Sequence, residues 1–352
     1  ISIPTTAEKL DLLVTESWGQ LSRVESPEEL AHLEKWGMLK AFVEFSLVDL
    51  WNAILKRKEI QDAAEGNDHP NLLLPEWAAF SNPETQHQTP DFKLKPVEPP
   101  EKYRDVFSQV VLIDRLREVR ALVGFTRIDS PGEMADTDEE ETLVISPISR
   151  KKPGWVPAIE VRGEGIFLQF KEEEILKWLA KSAVKNWDRM FFQAHAEWRK
   201  NRMIEKPEAN YPGLRYVLLH SFSHALMRQI AMECGYTQAS IRERIYSNNP
   251  GQSGGPMAGI LLYTSAPDSE GTLGGLVSLG EPQNLSRHIE AALESCSLCA
   301  SDPTCAEHMP GYGASTVHAA ACHSCLFSPE TSCEKGNRYL DRSVLVATVN
   351  HE

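Results

Sequence analysis

The stretch that decides the fold is Val156-Pro157-Ala158-Ile159-Glu160-Val161-Arg162-Gly163-Glu164-Gly165-Ile166-Phe167-Leu168-Gln169-Phe170, followed at once by Lys171-Glu172-Glu173-Glu174-Ile175-Leu176. Up to Phe170 the run is rich in β-branched and aromatic side chains and broken by Gly and Pro, which is the pattern of a strand. From Glu172 three glutamates fill a first helical turn, and basic residues gather at Arg199, Lys200 and Arg202, as the helix macrodipole favours. Trp178, Trp187, Phe191, Phe192 and Trp198 then form the expected core face of that long helix. Strand and helix lie in one covalent run, and the chain on either side keeps them in separate regions, so the fold class expected is α+β.

Upstream, Gln109–Ile113, Arg120–Ile128 and Thr142–Ile148 share the strand composition, giving a small β-rich middle region with its long helix over residues 101–204. Residues 81–100 hold Pro83, Pro90, Pro96, Pro99 and Pro100, which remove amide donors and disfavour helix before each, so a linker or extended arm is expected. Ahead of it, Ser26-Pro27-Glu28-Glu29 pairs a capping serine with a first-turn proline and a glutamate three positions on. Leu30, Leu33, Leu39, Phe42, Val43, Leu47, Leu50 and Ile54 continue at three- and four-residue spacing, interrupted by Gly37, towards Lys56-Arg57-Lys58. Residues 1–80 are therefore expected as a helical N-terminal region.

Downstream, Pro207 to Gly213 marks a boundary, and residues 205–352 are expected as a mixed C-terminal domain. A helix runs from Leu214 to Cys234, closed by Gly235, and a shorter one is expected over Ser240–Tyr246. Ile260–Thr264 reads as a buried strand emptying into a Gly-rich turn, Ser265 to Gly275. Asn284–Ser295 reads as a helix leading into cysteines.

The chain has 352 residues, with 36 Lys+Arg against 50 Asp+Glu, a formal net charge of -14 and 41% hydrophobic residues. That is a globular composition, long enough for two or three domains. The longest uncharged stretch, Ile245 to Pro267, is interrupted by Ser, Asn, Pro and Gly, so no membrane span is expected. Ile1-Ser2-Ile3-Pro4 is neither an initiator start nor a signal peptide, and a fragment of a longer cytoplasmic protein is expected. The acidic balance excludes a broad basic face that would hold nucleic acid by phosphate neutralisation alone, even without the carboxylate loop Glu133, Asp136 and Asp138 to Glu141.

Six of the 7 cysteines fall in two groups, Cys296-x2-Cys299-x5-Cys305 and Cys322-x2-Cys325-x7-Cys333. Two residues between thiols let a tight turn aim both sulfurs at one centre, and two such half-sites complete a tetrahedral thiolate shell for Zn(2+), with an iron–sulfur cluster as the alternative using the same ligands. The expected ligands are Cys305, Cys322, Cys325 and Cys333, with Cys299 as the alternative fourth. His308, His318 and His323 are near enough to substitute but read as loop residues. A four-thiolate shell leaves no position for water, so the site is expected to be structural.

His220 and His224 stand four apart on one helix face, a spacing that can bind metal, although Ser221 occupies the place where a metalloprotease needs glutamate. Packed, hydrogen-bonded histidines are the simpler reading. The Gly-rich turn around Gly274 and Gly275 offers backbone amides to a phosphate, and Arg242, Arg244, Arg338 and Arg342 are the arginines near it in prospect, so these six are the candidate nucleic-acid contacts. The chain has no phosphate-binding loop of the ATPase kind and no hydrolase elbow or deaminase signature.

Leu219-His220-Ser221-Phe222-Ser223-His224, Glu243-Arg244-Ile245-Tyr246, Gly259-Ile260-Leu261-Leu262-Tyr263-Thr264, Gly271-Thr272-Leu273-Gly274-Gly275-Leu276 and the cysteine run resemble the C-terminal domain of certain superfamily-two DNA helicases of the MrfA kind, which contains a four-cysteine zinc site. Leu116 to Ile128, Pro157 to Phe167, Ala321-Cys322-His323-Ser324-Cys325 and Glu330-Thr331-Ser332-Cys333-Glu334 are similar to the DrmB family of the bacterial anti-phage system DISARM, whose members are longer at the N-terminus. That resemblance places Cys296 outside the ligand spacing. It implies a non-catalytic accessory subunit that pairs with a DrmA-like DNA helicase and helps it bind invading phage DNA. The alternative is a metal-dependent nuclease or phosphodiesterase using His220, His224 and the Gly-rich turn.

Overall fold

The computed structural model describes residues 1–4, 8–65, 71–86, 88–126, 146–151, 155–235, 237–264, 275–314 and 316–348. The acidic run 133–141 and Gly274 with most of its turn lie outside the described residues. The chain divides into two units, Ile1–Lys93 and Leu94–Glu352.

The first unit is helical, with α1 (Glu8–Glu16), α2 (Trp18–Leu21), α3 (Pro27–Lys35), α4 (Leu47–Glu65) and α5 (Leu73–Ser81). Ser26 caps α3 by accepting from the Glu29 amide at 3.4 Å, and the Glu29 carboxylate accepts from the Glu25 amide at 2.8 Å, a reciprocal cap. The helical pattern expected to run on from Leu30 breaks at Gly37, whose φ of +70° only a residue without Cβ adopts easily. The chain resumes as α4, and Leu10, Val14, Leu30, Phe42, Leu50 and Ile54 meet in one core.

The second unit is built on a sheet ordered β1-β2-β5-β7-β6, from Lys93–Val97, Phe107–Ala121, Ala158–Phe170, Gly259–Thr264 and Ile241–Tyr246, with β3 (Gly124–Phe125) and β4 (Ser146–Pro147) as a separate pair. The pairs β2/β5, β5/β7 and β6/β7 are antiparallel. Three corrections to expectation follow. The Pro-rich arm carries β1, an edge strand of the sheet, the place where a strand tolerates a proline such as Pro96. The middle and C-terminal regions, expected as separate, share one sheet, because β5 pairs with β7 from Gly165↔Tyr263 to Gln169↔Gly259. The segment Ser240–Tyr246, expected helical, is strand β6 from Ile241 onward, its burial alternating with Ile241, Glu243 and Ile245 inward and Arg242 and Arg244 only partly buried.

Close approach of β5 to β7 depends on glycine. A Cβ at Gly163 would stand 1.7 Å from the Thr264 carbonyl oxygen, and one at Gly165 2.9 Å from that of Leu262.

The glutamate-led helix is two helices, α6 (Glu172–Leu179) and α7 (Ser182–Asn201). Phe191 and Trp198 are buried as expected, while Trp178 and Trp187 are only partly so. Helix α8 (Gly213–Cys234) ends on Gly235 at φ +66°, and its Val217, Leu219, Leu226 and Ile230 pack with Val110, Leu112, Ile166, Leu168, Ile260 and Leu262 of the sheet in one core. A short α9 (Gly275–Leu279) leads to α10 (Pro282–Ser297), whose Leu285, Ile289, Ala292 and Cys296 recur at helical spacing on the buried side. No helix among the described residues is long and apolar enough to cross a membrane.

Candidate metal centre and a second buried cluster

Helix α10 delivers the chain to Cys299 two residues past its end. The loop beyond is held by Asp302, whose carboxylate accepts from the Cys299 amide at 2.8 Å and from the Ala306 amide at 3.0 Å. Arg342, with no exposed surface, donates to the same carboxylate and to the Cys296 carbonyl at 2.8 Å. Opposite this loop a tight turn presents Cys322 and Cys325, with the Cys325 and Leu326 amides both donating to the Cys322 carbonyl.

Four sulfurs converge there, Cys299, Cys305, Cys322 and Cys325, all within 4.8 Å of one another. The Cys299–Cys322 separation is 3.5 Å, and those of Cys305–Cys325 and Cys322–Cys325 are 3.7 Å. Thiolates about 2.3 Å from a tetrahedral zinc would lie roughly 3.8 Å apart, so the donor set fits the ion in number, chemistry and spacing. The Ser301 and Ser324 amides donate to the Cys299 and Cys322 sulfurs at 3.3 and 3.4 Å, which fixes the direction of both sulfurs. The hydrogen bond from Cys325 is the main influence on Cys305, and with help from Arg342 it outweighs burial to bring that thiol down to about 5.

Both candidates for the fourth position, Cys299 and Cys305, are therefore in the cluster, and Cys333 is not. Cys296 packs in the adjoining core, where burial pushes its thiol up to about 11. His308 and His318 stack on one another at 4.6 Å, and His323 is exposed. None of the three is part of a cluster among the described residues.

Cys333 joins a second group with His220, His224 and Glu243, again with one donor atom of each within 4.8 Å of all the others. All four are buried, the two imidazoles completely. Helix α8 supplies both histidines, β6 supplies Glu243, and the C-terminal loop supplies Cys333. His220 Nε2 lies 3.1 Å from the Cys333 sulfur and 3.0 Å from Glu243 Oε1, and His224 Nε2 lies 3.2 Å from the same oxygen. The other carboxylate oxygen accepts from the Ser223 hydroxyl at 2.6 Å. Burial works against charge on Glu243, but the two imidazoles outweigh it and hold the carboxyl well below its usual range. Burial likewise opposes the Cys333 thiolate, and the same imidazoles bring it down to about 7. Sequence reading missed Glu243 and misplaced Cys333. The signal for the first was a carboxylate on the inward side of an alternating strand.

The arginines expected as nucleic-acid contacts are engaged within the fold. Arg242 faces Glu118 at 3.7 Å, and Arg244 donates to Glu334 at 3.0 Å. Arg338 is nearly buried with its guanidinium 4.7 Å over the Trp198 ring. Gly275 opens α9, where the Leu276 amide already donates to the buried Glu164 carboxylate at 2.8 Å. The enclosure of Arg342 leaves none of its guanidinium for a phosphate.

A model of the MrfA Zn-binding domain matches residues 222–326, a span that contains Cys299, Cys305, Cys322 and Cys325 and stops short of Cys333. Over 301 residues, 85% of this chain, the sequence is 36% identical to the DISARM protein DrmB of Bacillus paralicheniformis. The chain is a homologue of DrmB. It spans about half, 51%, of that relative's length. The cofactor of its MrfA-type domain is zinc, and the four-thiol cluster is the group of residues in this domain that fits it.

Proposed function

We propose that the chain belongs to a non-catalytic accessory subunit of a DISARM-type phage defence system, which pairs with a DrmA-like DNA helicase and helps it engage invading DNA. The observation that carries this reading is the make-up of the first donor cluster, four thiols with no position left open, together with the burial of the second. The four-thiol shell is complete without solvent, and zinc bound there supplies folding energy to the loops around Cys299–Cys305 and Cys322–Cys325 rather than an activated water. His220 and His224 have no exposed surface through which a phosphodiester could reach them. The homology to DrmB supports the defence role, and the net charge of -14 supports DNA engagement through a complex rather than by this chain alone.

The test against the nuclease reading is incubation of the purified chain with single- and double-stranded DNA in the presence of Mg²⁺, Mn²⁺ or Zn²⁺. Intact DNA is expected. Cleavage abolished by His224→Ala would replace the accessory reading with the enzymatic one.

A further inference from the structure

We infer that His220, His224, Glu243 and Cys333 form a second metal centre, a closed two-nitrogen, one-oxygen, one-sulfur shell for a divalent ion of the zinc class. Three observations carry it.

The first is the orientation of the imidazoles. His220 Nδ1 faces the Tyr339 carbonyl at 3.2 Å, and His224 Nδ1 faces the Leu326 carbonyl at 2.7 Å. A carbonyl only accepts, so each Nδ1 carries the proton, and in each neutral ring the Nε2 lone pair is left aimed into the cluster. A backbone carbonyl fixing the far ring nitrogen is the arrangement that orients metal-ligating histidines. Both rings have it, and they sit at i and i+4 on one helix.

The second is spacing. Ligands about 2.0–2.3 Å from a tetrahedral ion are roughly 3.3–3.8 Å apart. The Nε2–Sγ and Nε2–Oε1 separations of 3.1, 3.0 and 3.2 Å are slightly shorter and need only a small outward shift. Glu243 Oε1 serves both histidines while its partner oxygen is held by Ser223, the outer-shell bond expected of a ligating carboxylate. The Asn337 amide donates to the Cys333 sulfur at 3.2 Å, as the Ser301 and Ser324 amides do to sulfurs of the first centre.

The third is charge. Two neutral imidazoles, one carboxylate and one thiolate sum with a divalent ion to zero, the combination least costly to bury. Without the ion, protons must lie between the Nε2 atoms and the Glu243 oxygen and Cys333 sulfur they face, inside the core and with the ring centroids 4.6 Å apart. Ion uptake then displaces those protons to solvent, and no redox step is involved.

The two centres are adjacent in the chain, since Leu326, which accepts from His224, directly follows Cys325. The second fastens the loop carrying Cys333 to α8 and β6.

The test is metal content of the purified full chain by mass spectrometry under native conditions and by elemental analysis, with X-ray absorption at the zinc edge. Two ions per chain are expected, and across them five sulfur and three nitrogen or oxygen ligands. Cys333→Ser and Glu243→Gln should each retain a single, all-sulfur site, and Cys322→Ser should retain the mixed one. One ion per chain with sulfur-only scattering in the unaltered protein overturns the inference. That result is read from the wild-type chain, so it stands even if a variant fails to fold.

Discussion

Replacing Arg342 with Met separates a structural role from a phosphate-binding one. The side chain has no exposed surface, and its guanidinium joins the Asp302 carboxylate to the Cys296 carbonyl. Removing one partner of a buried ion pair costs about 3–5 kcal/mol, because the other charge stays behind in a poor solvent. Asp302 keeps its two backbone donors, the Cys299 and Ala306 amides, which sets the expected loss at the lower end, about 3 kcal/mol. Those amides belong to the loop carrying Cys299 and Cys305, so the loss should appear locally as faster hydrogen exchange over residues 296–306 and faster zinc transfer to a competing chelator. Denaturant titration of the zinc-loaded chain reads the global part. The salt dependence of DNA binding should not change. An unchanged denaturation midpoint together with a salt slope shallower by about one would refute the reasoning and restore Arg342 as a phosphate contact.

Cys325→Ser removes one of four thiolates from the first centre and should abolish its zinc and expose residues 296–326 to protease; full occupancy with unchanged protease resistance would contradict the four-thiol assignment. Gly163→Ala drives a methyl group into the Thr264 carbonyl, and since backbone must move to admit it, a loss of roughly 1–3 kcal/mol is expected in denaturant titration, with no effect on metal content. His318 is brought down to about 4 by burial, against an unfolded value of about 6.5. The unfolded chain therefore binds the extra proton first, so the His318 contribution is intact above about pH 6.5 and is lost as pH falls towards 4. His318→Asn should flatten the thermal midpoint across that window, by no more than about 1.4 kcal/mol per pH unit.

What could be read from the sequence was whatever is encoded locally. The start of α3 is written in Ser26-Pro27-Glu28-Glu29, the end of α8 in Gly235, and β7 in the apolar run Gly259–Thr264. β6 was not legible as a strand, because Arg-Glu-Arg has the composition of a helix surface and only its alternation with Ile241 and Ile245 betrays two faces. β2 is one strand through Asp114–Arg120, where charged residues mask the pattern and a register shift between Ile113 and Leu116 interrupts it.

The same limit governs the sites. Pairs two residues apart, such as Cys322 and Cys325, announce a turn that aims two sulfurs together. Cys333 continues that run in sequence, yet the fold sets it against His220, 113 residues away. Tyr339 holds a left-handed φ of +60° there, turning its carbonyl to the His220 ring. Pairings across such distances are set by tertiary packing, which spacing does not encode.

The most direct test of the account is size-exclusion co-elution of the full-length protein with a DrmA-like helicase, with DNA-stimulated ATPase measured on the complex and on each component. The account predicts a stable complex whose ATPase or DNA affinity differs from that of the helicase alone. Separate elution, with helicase activity indifferent to this protein, would contradict it.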